Sequence, residues 1–229
     1  MGGSGSPLAP LSFFGNEWGD DGAAGAAGSR ARLRASAPST TESTPTVIST
    51  LTTPRLLLRP LELADAAQAQ VLFPRWEIVR YMRAVVPWPY PPDGALTHFR
   101  DVALPAMERG DAWYWSLRLR EAPDQLVGSI RLRCGERENR GFWIGLPWQR
   151  RGLATEACAA VNAFWFEVLG FPVLRVGKAA ANEPSRRISL REGMRLVATE
   201  ERDFVSGRLP AEVWELTADE WRARAGGRP

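Results

Sequence analysis

The chain has 229 residues, 45% hydrophobic and 24% charged, enough for one domain with a sizeable core plus an appendage. No apolar run approaches the ~20 residues that span a bilayer, which argues against a membrane protein. Formal charge is only +3, and with Lys178 the sole lysine, 28 of the 29 basic residues are arginines, interspersed with Asp and Glu rather than gathered in the stripe of a nucleic-acid binder.

Residues 1 to 46 hold eight of the 21 glycines and no sustained periodicity, so they read as a disordered leader before one domain over residues 47–225, with a tail at 226–229. Thr53 to Pro60 reads as a strand closed by proline, and Leu61 to Leu72 as a helix. From Phe73 to Pro92, five prolines among Trp76, Tyr81, Trp88 and Tyr90 forbid a long helix or a central strand. Gly94 to Arg109 reads as a helix whose His98 serves packing or the surface. One histidine, with Cys134 and Cys158 far apart, suits neither a His-based metal site nor a disulfide framework, and reduced thiols fit a cytoplasmic protein.

Ala112 to Leu119 and Gln125 to Arg133 are predicted strands joined by a turn at Glu121 to Asp124, and Asn139 to Leu146 adds a third. Apolar groups at Leu153, Ala157, Val161, Phe164 and Val168 then have helical spacing. A crossover of this length returns Val173 to Lys178 parallel to the strand before it. Pro184 to Glu192 is a short helix stopped at Gly193, Met194 to Asp203 and Pro210 to Leu216 form a hairpin, and Ala218 to Arg224 is a last helix.

Gly152 marks the junction between strand 139–146 and the helix from Leu153. Lacking a Cβ, it can expose N–H groups at the helix start, where the dipole favours an anion such as phosphate.

Gln149-Arg150-Arg151-Gly152-Leu153-Ala154 resembles the Gln/Arg-x-x-Gly-x-Gly/Ala signature of the GNAT N-acetyltransferases. Gly141-Phe142-Trp143-Ile144 before it, then Asn182-Glu183-Pro184-Ser185 and Glu192-Gly193-Met194 after it, stand in the order of the ribosomal-protein (RimJ/RimL-like) branch. The resemblance, over roughly Thr53 to Arg224, implies an α+β fold with a mixed, mostly antiparallel sheet of about six to seven strands flanked by helices. It implies acetyl-CoA as donor, no metal, and a primary amine of a protein N-terminus or small molecule as acceptor; dimers are common among such proteins. Gln149 to Ala154 would hold the pyrophosphate. The pantetheine arm would lie where strands 139–146 and 173–178 splay, at a bulge for which Gly145 is the obvious place, with N–H groups of Ile144, Gly145 and Leu146 toward the thioester oxygen. Asn182 would hold the arm and Ser185 protonate the thiolate. Where the family often has a Glu, this chain has Asn139. Glu138, one residue off, is a candidate base together with Glu136, Glu156 or a water chain, and a CoA-binding module without catalysis is the alternative reading.

Overall fold

The computed structural model describes residues 48–136 and 138–226; the leader expected at 1 to 46 and the last residues of the tail lie outside the described residues. Strands β1 (Leu51–Thr52), β2 (Leu56–Pro60), β3 (Ala112–Leu119), β4 (Ala122–Arg133) and β5 (Arg140–Ile144) form one antiparallel sheet in chain order. β6 (Val173–Ala179), β7 (Arg195–Phe204) and β8 (Gly207–Thr217) form a second, in the order β6-β8-β7. Helices are α1 (Ala66–Leu72), α2 (Trp76–Val79), α3 (Gly94–His98), α4 (Leu104–Glu108), α5 (Leu153–Ala163), α6 (Glu183–Glu192) and α7 (Ala218–Gly226).

All eight residues of β3 are buried because helices cover both of its faces. Its odd positions Trp113, Trp115 and Leu117 pack with Leu56 and Leu58 of β2 against Leu153, Ala157, Val161 and Phe164. Its even positions Ala112 and Tyr114 join Ala66, Ala69, Ala95 and Phe99. The Trp115 and Phe164 rings meet edge to face at 5.2 Å. Period 2 in the strand and 3.6 in the helix thus generate a three-layer core from one chain segment each.

Two expectations change. Pairing of β6 with β5 does not develop into a ladder. The strands touch where Asn139 N donates to Arg175 O at 2.7 Å and Asn139 Oδ1 accepts from Arg175 N at 2.7 Å, and beyond that clasp the sheets part. Nor is Gly145 a bulge: its φ of −59° and ψ of 143° are ordinary, and it opens a 3₁₀ turn at Leu146–Trp148 that Pro147 favours. The absent side chain makes room for the Trp148 ring, 3.0 Å from where a Cβ would stand.

Candidate functional site

The parting of the sheets leaves a cleft of about 980 Å³, bounded by β5, β6, the starts of α5 and α6, and the aromatic segment after α1. β6 divides it. Leu174 and Val176 face α5 in the core, and Lys178 shares their side, whereas Ala179 packs with Phe204 and Ala211 on the opposite side.

At the α5 end, Gly152 has φ 78° and Arg150 φ 60°, so the chain makes two left-handed turns just before the helix. The glycine accepts this at no steric cost; the arginine is strained, as non-glycine residues at functional turns sometimes are. The first intrahelical bond runs from Glu156 N to Gly152 O at 3.1 Å, so the N–H groups of Leu153, Ala154 and Thr155 have no partner within α5. Gln149, Arg150, Gly152, Leu153, Ala154 and Thr155 line the cleft.

A brace fixes this loop to the β1–β2 turn. Glu156 accepts from Thr53 Oγ1 at 2.5 Å, Arg55 N at 2.8 Å and Arg55 Nε at 2.7 Å, and Arg55 Nη1 donates to Arg151 O at 2.8 Å. Burial pushes the Glu156 carboxyl up, but the bonds from Thr53 and Arg55 outweigh it and hold it below the usual carboxylate range. These bonds make Glu156 a strut between the loop and the β1–β2 turn. Replacing it with alanine frees Arg151, and calorimetric titration with the donor expected from the sequence, acetyl-CoA, should read about fivefold weaker binding, the effect of one partly exposed ion pair.

On β5, Gly145 N donates to Val127 O at 2.9 Å, and the register Gly128↔Ile144 and Ser129↔Trp143 continues from it. Ladder alternation then turns the N–H groups of Phe142 and Ile144 toward the open edge and that of Gly145 away from it. Gln149 Nε2 holds Ile144 O at 2.8 Å and ties the strand end to the loop.

The opposite wall is the start of α6. Asn182 caps the helix, accepting from Ser185 N at 3.4 Å, with Pro184 in the first turn and Gly193 at φ 73° closing the other end. Beneath it lies a polar cluster that the sequence reading overlooked. Lys178 Nζ donates to Ser185 O at 3.0 Å and to Ser189 Oγ. Arg140 meets both oxygens of Glu192 at 2.8 Å, and Asn162 bridges them, its Oδ1 accepting from Arg140 and its Nδ2 donating to Glu192 at 3.1 Å. Burial pushes the neighbouring Cys158 thiol up to about 12. The alternation Leu174, Val176, Lys178 was the available signal, since it sets the lysine on the inward face.

Burial first, then the charge of Arg140, lowers the Lys178 ammonium from 10.5 to about 7. The fold resists the protonated form, so this penalty is fully present below about pH 7 and fades as pH rises toward the unfolded value. A Lys178→Met chain lacks it. The parent should therefore gain stability relative to that variant between about pH 6.5 and about pH 9.5. Parallel denaturant midpoints at the two pH values would remove the assignment.

Of the other expected site residues, Ile144, Asn182, Ser185 and Glu138 line the cleft. Gly145, Leu146 and Arg151 are not among its lining. Asn139 is only 3% exposed, and its amide is spent on Arg175 N, Gly135 O and Arg133 O, so it clasps the sheets and does not reach the cleft. Glu138 is bonded to Arg202 and lies 3.6 Å from Arg83 Nη1. His98, expected in packing or at the surface, lines the cleft and meets Tyr114 edge to face at 6.2 Å; burial, then Arg131, lowers it to about 4, leaving a neutral imidazole.

The family description "Acetyltransferase (GNAT) domain" matches residues 55–195. Among curated proteins none matches by sequence. Mycobacterium smegmatis RimJ in complex with CoA-disulfide superposes with a TM-score of 0.64 at 18% identity, over 80% of this chain and 96% of that one. The ribosomal-protein-S5-alanine acetyltransferase of Vibrio fischeri gives 0.65 at 12% identity, over 76% and 98%. RimL, a ribosomal L7/L12 α-N-protein acetyltransferase in complex with coenzyme A, gives 0.64 at 13%, over 75% and 99%. At such identities the agreement concerns the fold. No helix among the described residues is long and apolar enough to cross a membrane, and no group of His, Cys, Asp or Glu among them could hold a metal ion.

Proposed function

Since the chain belongs to the GNAT acetyltransferase family, we propose that it moves the acetyl group of acetyl-CoA to a primary amine by direct attack. The observation that carries this reading is the left-handed loop at Arg150 and Gly152, which opens the start of an 11-residue helix into a cleft bordered by a free strand edge.

The residues fit the donor. Unpartnered N–H groups of the first α5 turn suit phosphate oxygens, and the exposed Arg150 adds charge beside them. Phe142 and Ile144 turn N–H groups to the gap, where they can pair with amide carbonyls of an extended pantetheine arm as a strand would. The donor supplies a thioester: as the amine nitrogen bonds to the acetyl carbon, the carbon–sulfur bond breaks and a proton must reach the thiolate.

Ser185 lines the cleft on the wall opposite the loop, and its main chain is held from both sides by Asn182 and Lys178. A rigid hydroxyl there suits delivery of that proton. Ser185→Ala should lower kcat by about a hundredfold, within the usual range for general acids, and leave acetyl-CoA affinity within about twofold. Thiol release with a working amine reads the first quantity and titration the second. A variant as fast as the parent ends the acid role.

Among the described residues, Asn139 stands where a carboxylate would serve as base, and the adjacent Glu138 is engaged by Arg202. At pH 7 an α-amine is neutral in roughly one molecule in ten, against about one lysine in 2,500. An N-terminal or similarly acidic amine, losing its proton to water, therefore suits this site better than a lysine side chain.

A further inference from the structure

Strand β5 presents one ring to each side. Phe142 packs with the α5 core, whereas Trp143 packs with Tyr114 and Phe99 in the core formed with α1 and α3, the side away from the donor helix. There Trp143 meets Phe73 edge to face at 5.4 Å, and Phe73 meets Tyr90 in the same way at 5.2 Å. Gly94, which opens α3, makes room for this wall, since a Cβ on it would fall 2.7 Å from Tyr90 Cε1. Phe73, Tyr90 and Trp143 are each half-buried and each line the cleft, so all three show part of a ring to it.

Charged groups nearby are committed elsewhere. Arg202 is held by Glu138 and by Glu200 Oε1 at 2.6 Å, and Arg83 and Arg131 have partners of their own. The two titratable rings of this wall carry no charge at neutral pH: His98 is lowered to about 4, and burial, then Asp93, raises the Tyr90 hydroxyl to about 12. What the wall offers an incoming group is therefore aromatic carbon. A ring gains most from it, because edge-to-face or offset contact adds to the burial of apolar surface.

Building on the acetyl-transfer reading above, we infer that the acceptor is an amine carrying an aromatic group close to its nitrogen, with that ring against Phe73, Tyr90 and Trp143 while the amine faces the donor. Two sources share that chemistry: a polypeptide whose first residue is aromatic, and a small aromatic amine such as phenylalanine amide.

The test uses the full chain with acetyl-CoA and two peptides identical except for Phe or Ser at the first position, with phenylalanine amide as a further arm. The Phe peptide should be favoured by about twentyfold in kcat/KM, the fold-change that burial of one phenyl ring supplies. That preference should fall by at least about threefold in Phe73→Leu, which keeps apolar volume but removes the ring, and in Gly94→Ala, whose methyl group obliges the Tyr90 ring to move. Transfer to phenylalanine amide but to neither peptide assigns the site to the small amine. Equal, measurable rates for the two peptides, a preference for Ser, a preference for Phe that both variants keep in full, or no transfer to any of the three overturns the inference. Acetyl-CoA titration, run in parallel, shows whether the broader donor reading falls with it.

Discussion

Gly152→Val is expected to weaken acetyl-CoA binding by at least about a hundredfold while the chain remains folded. Two effects combine. At φ 78° a β-branched residue is strained by roughly 1–2 kcal/mol, and relief requires the backbone to swing out of the left-handed region. That swing re-aims the N–H groups of Leu153 and Ala154, and each charge-assisted hydrogen bond lost to a phosphate oxygen is worth about 1.5–3 kcal/mol. Loss of both bonds, about 3–6 kcal/mol together, exceeds the ~2.7 kcal/mol that a hundredfold change requires. A Cβ here would lie 3.4 Å from Arg55 Nη2, ordinary contact, so crowding contributes little and Gly152→Ala should be milder. Titration with acetyl-CoA, accompanied by circular dichroism to verify folding, decides the matter. Affinity within threefold of the parent in the valine variant would take the pyrophosphate assignment with it.

The second large effect is on stability. Glu192→Ala should cost about 3–5 kcal/mol, because it leaves the Arg140 guanidinium, 2% exposed, with Asn162 and no carboxylate. For a domain of this size that corresponds to a fall in Tm of roughly 10 °C. The penalty belongs to the stranded cation, not to the pair, so Arg140→Met combined with Glu192→Leu should recover much of it. Thermal unfolding of both variants checks this. A double variant as unstable as the single one would mean that packing rather than charge governs the site.

Local rules made much of this legible. Gln149 to Ala154 lies between a β-branched, aromatic run and a helical stripe, and the loop formed there. Asn182, Pro184 and Gly193 bound α6 as capping chemistry requires. Rules of longer range failed. Strand 139–146 ends at Ile144 because Pro147 and the Trp148 ring impose a turn, and Gly145, chosen as the bulge, makes room for that ring. The one-residue offset puts Glu138 and Asn139 on opposite faces of an extended strand, but alternation alone could not say which of them faces the cleft. That depends on a sheet that divides, and the division depends on contacts 36 residues apart in sequence.

One consequence of the solitary lysine concerns self-modification. A catalyst that acylates amines is always at risk of consuming its own side chains, and most proteins display many reactive ε-amino groups. Here 28 of the 29 lysine and arginine side chains are guanidinium groups, which thioesters do not acylate under mild conditions, and the one lysine is 6% exposed, with its nitrogen turned to Ser185 and Ser189. Among the described residues the exterior therefore offers no ε-amine to compete with the intended recipient.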